Sequence, residues 1–309
     1  MVTVAMKRTI LLSIVGWLAI FPVTYSLAAA EGALDTAKIE ALTGLKGKLN
    51  EKEGVFKVSV PRSDVKVTVD GWQMPPFMGL TSWAGFTTGT KSEAMVMGDI
   101  VLLQDEVNPV MSAALDAGLN VTALHNHFFY DEPKIYFMHI EGDGPTDKLA
   151  AAVKATLGKV TEIRASQPEP AKNFSAPFAP GSNNITGRKI SDVFGTKGDA
   201  KDGMYKVVIG RKTGMPCGCE AGKEMGVNTW AAFAGTDDNA LVDGDFAVSE
   251  TELQPVLKSL RKSGINIVAI HSHMTQENPR ILFLHYWGKG KAVDLASAVK
   301  SAVDLTAAK

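Results

Sequence analysis

The stretch NIVAIHSH, residues 266–273, decides how this chain is organised, because it occurs twice. The earlier copy reads NVTALHNH at residues 120–127. Each copy is followed by a second apolar segment that ends in histidine, RILFLH at 280–285 and KIYFMH at 134–139. The spacing inside both copies is identical, with an offset of 146 residues (271 − 125 = 146). The two copies contain all six histidines of the chain, which indicates that these side chains share one task.

The duplication extends well beyond the histidines. Residues 83–86 (WAGF) match residues 230–233 (WAAF) at an offset of 147, and from residues 98 and 244 onward the offset stays at 146. A slowly drifting offset indicates small loop deletions within one shared fold. Two copies indicate two domains, or two halves of one pseudo-symmetric body, since a solenoid needs at least about three repeats.

The segment between the two copies is rich in proline. Residues 167–184 contain four of the fourteen prolines of the chain, together with Ser, Asn and Gly, which is typical of a linker. We therefore predict a signal peptide at residues 1–30, a first repeat domain at 31–166, the linker at 167–184 and a second repeat domain at 185–309.

The first thirty residues follow the order of a secretory signal. Lys7-Arg8 precedes a long apolar run, and a small-residue run ends at Ala30, so cleavage before Glu31 is predicted. The alternative is an uncleaved anchor, because the uncharged stretch approaches the roughly 20 residues that a membrane span needs. Cleavage predicts a periplasmic or secreted protein with no stable membrane span.

The composition is that of an ordinary soluble globular protein. Of 309 residues, 45% are hydrophobic and 21% are charged. Lys plus Arg number 32 and Asp plus Glu number 33, giving a net charge of −1. This balance, without a basic block, argues against nucleic acid as a partner.

Residue patterns predict the same order of elements in both copies. A short helix, strands, a longer helix, the histidine hairpin and an alanine-rich helix follow one another, with Pro109 and Pro255 expected in the first turn of the longer helices. The predicted fold class is α+β, with two homologous halves, each an antiparallel sheet with helices packed on one face. The predicted strands include residues 55–60, 95–103, 204–209 and 240–248; the predicted helices are 37–43, 106–117, 146–157, 188–194, 252–263 and 291–304.

The histidine spacing predicts that three imidazoles converge in each copy. Residues two apart in a strand point to one face, so His125 and His127 share a face. If the hairpin is centred near Glu132, His139 lies opposite His125. The predicted metal ligands are therefore His125, His127 and His139 in the first copy, and His271, His273 and His285 in the second.

Three neutral nitrogens without a thiolate suit zinc first, then copper, nickel or iron. Three protein ligands plus water are also the arrangement of catalytic zinc, whose bound water has a pKa of about 7. Two alternatives stay open: the histidines are hydrogen-bonded structural residues, or the two copies build one composite site.

Four acidic residues are candidates for a fourth group at the metal. Asp131 and Glu277 occupy matched hairpin turns and are candidates for general acid–base catalysis, while Asp99 and Asp245 are matched acids in strands. The alternative for the turn acids is that they cap backbone amides. Because the turn of the first copy is the more acidic, activity is expected there first.

Two further features invite a functional reading. Trp83 and Trp230, each followed by a phenylalanine three residues later, are predicted to be core residues or to line a pocket. Cys217 and Cys219 have no counterpart in the first copy; with Met215 they are candidates for a soft-metal site, against a loop disulfide or idle thiols.

The motifs that recur in both copies resemble the bacterial LppY/LpqO family of exported proteins and lipoproteins. They are Trp-Ala-x-Phe, Gly-Asp, Glu-x-x-x-Pro-Val, His-x-His and Pro-x-Ile-x-Phe-x-His in register, and the resemblance covers residues 37–303. It implies an exported protein with a tandem domain and brings no known reaction. The chain departs from the lipoprotein members because no lipobox cysteine is present.

Three functions follow as hypotheses. The first is an exported metal-binding protein with a three-histidine site in each repeat. The second is a zinc-dependent hydrolase that acts on a small-molecule substrate through a metal-bound water. The third is an envelope interaction module in which the histidines are structural.

Overall fold

The computed structural model of the chain describes Met1 and residues 34–174 and 181–307. The predicted signal peptide, apart from Met1, and residues 175–180 of the predicted linker lie outside the described ranges. In the described part, no helix is both long enough and apolar enough to cross a membrane.

Both repeats run through closely similar sets of elements. The first contains α1 (Thr36–Thr43), β1 (Gly47–Asn50), β2 (Val55–Pro61), β3 (Thr68–Val69), β4 (Trp72–Gln73), β5 (Thr81–Thr88), β6 (Ala94–Leu103), α2 (Gln104–Asp116), β7 (Asn120–His125), β8 (Asp131–Glu132), β9 (Ile135–Gly144) and α3 (Thr146–Ser166). The second contains α4 (Gly187–Phe194), β10 (Asp199–Lys201), β11 (Met204–Gly210), β12 (Thr213–Gly214), β13 (Glu220–Ala221), β14 (Asn228–Gly235), β15 (Ala240–Ser249), α5 (Glu250–Lys262), β16 (Asn266–His271), β17 (Ile281–Gly290) and α6 (Ala292–Val303). Short 3₁₀ helices at Pro76–Met78 and Lys223–Met225 precede β5 and β14.

Strands of both repeats join in one sheet. Among the described residues, 12 strands follow the order β1-β2-β5-β6-β9-β7-β16-β17-β15-β14-β11-β10, and neighbouring strands are antiparallel. The halves meet where Leu124 of β7 pairs with Ile270 of β16. These two residues occupy equivalent positions in the two repeats, and equivalent residues pair with each other only beside a twofold axis. The repeats are therefore related by a pseudo-twofold axis at this pair, and the predicted α+β class is confirmed.

Each repeat completes the hydrogen bonding of the other at this junction. A β-bulge interrupts β16 next to Ile267 and β7 next to Val121. The Asn108 amide on α2 donates to the Ile267 carbonyl at 3.1 Å and accepts from its N–H at 2.7 Å. Gln254, at the equivalent position on α5, makes the same two bonds with Val121 at 2.9 and 3.0 Å. Without these amides the bulged peptide groups would be buried without partners, which is costly.

The helices cover one face of the sheet because alternate strand residues are apolar. In β5 the side chains of Ser82, Ala84 and Phe86 are buried, whereas their neighbours are partly exposed. Phe86 and its counterpart Phe233 belong to the main core formed with the helices. Burial of this apolar surface is the main stabilising contribution to the fold.

The opposite face, here called the outer face, carries the histidine hairpins. In the first repeat a three-stranded sheet of β4, β3 and β8 lies over it, and a small apolar cluster around Phe137 is buried there. In the second repeat a smaller cluster forms around Phe283 and Met274. Each cluster packs beside one set of histidines.

The longer helices begin earlier than predicted. Glu106 accepts a hydrogen bond from Leu103 N–H at 2.8 Å and Glu252 accepts one from Ser249 N–H at 2.7 Å, so each glutamate is the third residue of a capped first turn. Pro109 therefore lies in the second turn of α2, and the prediction that it lies in the first turn is wrong. The same holds for Pro255 in α5.

Helix α3 is longer than predicted and ends at Ser166 instead of residue 157. Its last turns stay attached to the body because Arg164 is buried and pairs with Asp105 and Glu106 on α2. An arginine near a helix end was not recognisable from the sequence as a buried contact.

Candidate metal centre

In each repeat one histidine ends the inner strand of the hairpin, the next follows two residues later, and the third lies within the returning strand. Because the hairpin repeats, the two sets occupy equivalent places on the outer face. They are His125, His127 and His139 beside β7 and β9, and His271, His273 and His285 beside β16 and β17.

The register of the hairpin differs from the prediction by two residues. His125 pairs with Phe137, and His139 pairs with Ala123; the second repeat shows the same shift. The difference arises because Asp131–Glu132 pair with β3 instead of continuing the hairpin. A shift of two keeps every side chain on its face. His125 and His139 are therefore diagonal neighbours, with ring centroids 5.1 Å apart.

A carboxylate stands beside the third histidine in each repeat. Asp245 of β15 pairs directly with His285, and Trp230 of β14 pairs with Asp245 from the other side. Asp99 and His139 form the same pair in the first repeat. Directly paired residues point to one face of a sheet, so the acid and the histidine share the outer face.

In the second repeat the donor atoms converge. One donor atom each of Asp245, His271 and His285 lies within 4.8 Å of the other two. The Asp245 carboxylate is also 3.6 Å from His273 Nε2 and 4.0 Å from His285 Nδ1, too far for a hydrogen bond. Donors on one tetrahedral ion lie about 3.3 Å apart, since each is about 2.0 Å from it. The separations of the Asp245 carboxylate from His273 and His285, 3.6 and 4.0 Å, are longer than that distance.

Two atoms of this cluster are buried without a hydrogen-bond partner. They are Asp245 Oδ1 and His271 Nε2, and Asp99 Oδ1 of the first repeat is in the same condition. An isolated buried carboxylate oxygen is costly, and binding a cation is one of the few ways to satisfy it. The unpaired atoms therefore fit a cation bound between the aspartate and the histidines.

Burial shifts the protonation of the same groups. It raises the pKa of Asp245 to about 6, against the opposing charge of His285. Burial also lowers the pKa of His271 and of His273, and neighbouring His285 adds to both effects. Imidazoles with a lowered pKa are neutral near pH 7, which is the form that binds metals.

The first repeat holds a looser version of the cluster. The ring centroids of His125 lie 5.2 Å from His127 and 5.1 Å from His139. Burial, followed by the charge of His125, lowers the pKa of His127. Within the described ranges, the set whose donors come within 4.8 Å of one another is in the second repeat.

A phenylalanine orients the middle histidine of each set. The ring of His127 stacks on Phe137 with centroids 3.3 Å apart, and His273 stacks on Phe283 at 3.4 Å. Stacking on a buried ring leaves these imidazoles little freedom to rotate out of plane. His273 also donates a hydrogen bond to the backbone carbonyl of Gly226, which acts to raise its pKa.

The turn acids serve the backbone, as the alternative reading of the sequence predicted. Asp131 accepts hydrogen bonds from Ile135 N–H at 2.7 Å and from Lys134 Nζ at 3.0 Å. Glu277 accepts one from Ile281 N–H at 3.1 Å. The acid that joins the histidines is Asp245, not these catalytic candidates.

The tryptophans are partly exposed rather than core residues. Lys57 Nζ lies 4.1 Å above the ring of Trp83, and Lys206 Nζ lies 4.1 Å above Trp230. Such cation–π contacts are weak at exposed sites, about 0.5–1 kcal/mol. In contrast, the phenylalanines that follow them are core residues.

The two cysteines are joined to each other. Cys217 and Cys219 form a disulfide in the loop between β12 and β13. Met215 closes this loop, because its N–H donates to the Cys219 carbonyl at 2.9 Å. With both sulfurs in the bond, thiolates for a soft metal are not available here.

A cavity that sequence reasoning missed opens beside the second cluster. It has a volume of about 440 Å³. His285 lines it together with Asp243 and Trp287 of the second repeat, and residues of α2, β9 and the linker close it. It lies where the two repeats meet, so its walls come from parts of the chain that are far apart in sequence. Burial raises the pKa of Asp243, opposed by His285.

A family profile described as "Domain of Unknown Function (DUF1259)" matches the chain twice, at residues 37–159 and 188–305. The two matches correspond to the two repeats. No curated protein matches the chain.

Two solved structures are similar at low identity. One is a trimeric bacterial microcompartment shell protein, PduB, with 14% identity over 84% of this chain and 89% of that chain and a TM-score of 0.21. The other is the double-ringed trimeric shell protein MSM0271 from the RMM microcompartment, with 11% identity over 84% and 95% and a TM-score of 0.18. Both TM-scores are too low to carry an argument about fold or function.

Proposed function

Because the chain belongs to the Domain of Unknown Function (DUF1259) family, whose name brings no reaction with it, we propose a function from its side chains: metal binding by three histidines in each repeat. The observation that supports it most is the pair of buried, unpaired atoms Asp245 Oδ1 and His271 Nε2, beside His285. The matched aspartate in the first repeat, Asp99, extends the proposal to both repeats.

Zinc is the metal that this donor set suits best. Three imidazole nitrogens and a carboxylate oxygen without thiolates are ligands that zinc accepts in tetrahedral sites, and copper or another divalent transition metal is the alternative. In the second repeat His271, His273, His285 and Asp245 would hold the ion. The half-exposed His285 leaves the site accessible from solvent.

We further propose that the protein is exported and is of the LppY/LpqO type. The order of charge, apolar run and alanines in residues 1–30 supports this proposal. The mature chain would begin at Glu31 and be periplasmic or secreted. Intact-mass measurement on protein from its native compartment tests this; a membrane-bound chain that retains residues 1–30 would contradict it.

Metal analysis tests the central proposal. Protein reconstituted with zinc should bind about two ions per chain, one for each four-donor set. His125→Ala should remove one ion and His271→Ala the other, as measured by elemental analysis. Asp131→Asn and Glu277→Gln are matched controls that should keep both ions, since an amide oxygen still accepts the turn hydrogen bond.

The other outcomes separate the alternatives. If either histidine variant lost all metal, the two repeats would build one composite site. If the wild type bound neither zinc nor copper, metal binding would be wrong and the envelope interaction module with structural histidines would stand.

Zinc-dependent hydrolysis is a second candidate function, and the cavity beside His285 favours it. A catalytic zinc needs a place for substrate next to its bound water. The acidic turn of the first repeat led us to expect activity in that repeat. The cavity favours activity in the second repeat instead. Zinc-loaded protein should be assayed with ester, phosphoester, amide and lactam substrates. Activity should disappear with chelator and with His271→Ala but persist in His125→Ala; a silent panel would contradict this candidate.

A further inference from the structure

Two residues that line the cavity beside the second histidine cluster differ from their counterparts in the first repeat. Asp243 and Trp287 line it, and at the equivalent positions the first repeat has Met97 and Glu141. In contrast, His285, which also lines the cavity, has a histidine counterpart, His139. The duplication thus preserved the metal donors and changed the side chains around them, which indicates a ligand specific to the second repeat.

The carboxylate of this cavity faces outward from the sheet beside the histidine. Asp243 pairs directly with Trp287 across β15 and β17, and Asp245 pairs with His285 one step further along. All four side chains therefore share the outer face. Among the described residues that line the cavity, Asp243 is the one acidic side chain and none is Lys or Arg. The charge of Lys206 acts on Asp243, and Lys206 Nζ lies 4.1 Å above the ring of Trp230.

The remaining walls are largely apolar and aromatic. Tyr136 and Val107 contribute from the first repeat, and Phe174 contributes from the start of the linker. The linker is held over the cavity because Ala171 N–H donates to Asp105 at the start of α2, at 3.0 Å. The volume of about 440 Å³ lies within the range of small-molecule sites.

We propose that this cavity binds a small organic amine in its protonated form, with an apolar or aromatic body. The ammonium group would lie against the Asp243 carboxylate and the face of Trp287, and the body against Tyr136 and Val107. Carboxylates and aromatic faces together favour organic cations over neutral molecules and anions. The far end of the ligand would reach His285, and only this contact rests on the proposed metal site.

The test uses three probes of one shape and different charge: 2-phenylethylamine, 2-phenylethanol and phenylacetate. Titration calorimetry on the full chain, both metal-free and zinc-loaded, should show binding of the amine at least about tenfold tighter than the other two, which corresponds to one charge-assisted hydrogen bond. Asp243→Asn should weaken amine binding by about tenfold or more and leave binding of the alcohol unchanged. Met97→Ala and Glu141→Gln, at the matched places in the first repeat, should leave amine affinity unaltered.

Trp287→Leu gives a second measurement, since it keeps the Asp243 carboxylate and removes the aromatic face. It should weaken binding of 2-phenylethylamine more than binding of phenylacetate. The proposal is overturned if the amine does not bind, if the alcohol or the acid binds as tightly, or if Asp243→Asn has no effect. Metal content is measured in every sample. Absence of metal with amine binding intact would reject the metal site alone, and bound metal without amine binding would reject this proposal alone.

Discussion

The two histidine clusters share their donors and differ in what surrounds them. The hairpin turn of the first carries exposed aromatic side chains, Phe129 at 81% and Tyr130 at 79% exposure, where the second repeat has Thr275 and Gln276. Beside the second lies the cavity lined by His285. The two copies therefore keep the same histidines and differ in the side chains around them.

The same comparison applies to the ion pairs under the sheet. In the first repeat Glu106 is fully buried and binds Arg62 at 2.7 and 2.9 Å and Arg164 at 2.9 Å. In the second, Glu252 binds Arg211 at the equivalent place, and both are slightly exposed. The pair is therefore common to both repeats, while the second arginine belongs to the first repeat.

Removing the glutamate of each ion pair is expected to have the largest effect on stability. Glu106→Ala removes the fully buried carboxylate shared by two buried guanidinium groups, which keep only Asp64 and Asp105, and should destabilise the protein by about 3–5 kcal/mol. Glu252→Ala leaves one partly exposed arginine and should cost about 1–3 kcal/mol. Urea unfolding followed by circular dichroism measures both. As a control, Glu162→Ala removes an exposed pair with Lys159 and should change stability by less than about 1 kcal/mol. Equal losses for Glu106 and Glu252 would show that burial does not distinguish the repeats.

The side-chain amides of Asn108 and Gln254 are expected to stabilise the junction between the repeats. Asn108→Ala should cost about 2–3 kcal/mol, because it leaves the Ile267 peptide groups buried without partners. Gln254→Ala should cost less, about 1–2 kcal/mol, since Gln254 is only partly buried and water can replace it. Urea unfolding measures the two variants side by side. A larger loss from Gln254→Ala would contradict the order, and no loss from either would mean that the junction does not depend on them.

The smallest expected effect concerns pH. Burial alone would raise the pKa of Glu252, but the hydrogen bonds from Arg211 and from the Ser249 and Ala307 N–H groups together outweigh burial and lower the pKa from 4.5 to about 2. A lowered folded-state pKa stabilises the protein fully above the unfolded value, and this stabilisation is lost as pH falls from about 4.5 toward 2. Glu252→Gln should therefore flatten the acid side of the stability profile, measured as the urea midpoint at each pH. An unchanged acid slope would show that Arg211 does not act on the charge of Glu252.

Much of the fold was accessible from the sequence because local patterns decide it. The strand β2, predicted at residues 55–60, runs from Val55 to Pro61, and α6, predicted at 291–304, runs from Ala292 to Val303. These elements follow the alternation of apolar residues or helical spacing. Helix α3 exceeded its prediction because the contact that extends it, Arg164 with Glu106, joins residues far apart in sequence.

The candidate site was accessible only in part. A register shift of two residues keeps His125 and His139 on one face, which is why the error of two residues did no harm to that prediction. The sequence left four acids as candidates for the fourth group, because both kinds of candidate recur in the two copies. Sequence spacing alone does not distinguish Asp131, which caps a turn, from Asp245, which pairs with His285.

The sequence by itself determined the duplication, the strand faces and which histidines are candidate ligands, because these depend on periodicities of two and 146 residues within one chain. Only the tertiary structure decided that the repeats share one sheet, that Asp245 joins His271 and His285, and that a cavity opens beside them. The physical reason is that the shared sheet and the cavity arise where β7 meets β16 and where α2 and the linker cross the junction, between segments far apart in sequence. Asp245 reaches the histidines through the pairing of β15 with β17, which joins residues 40 positions apart (285 − 245 = 40). No local pattern encodes such contacts.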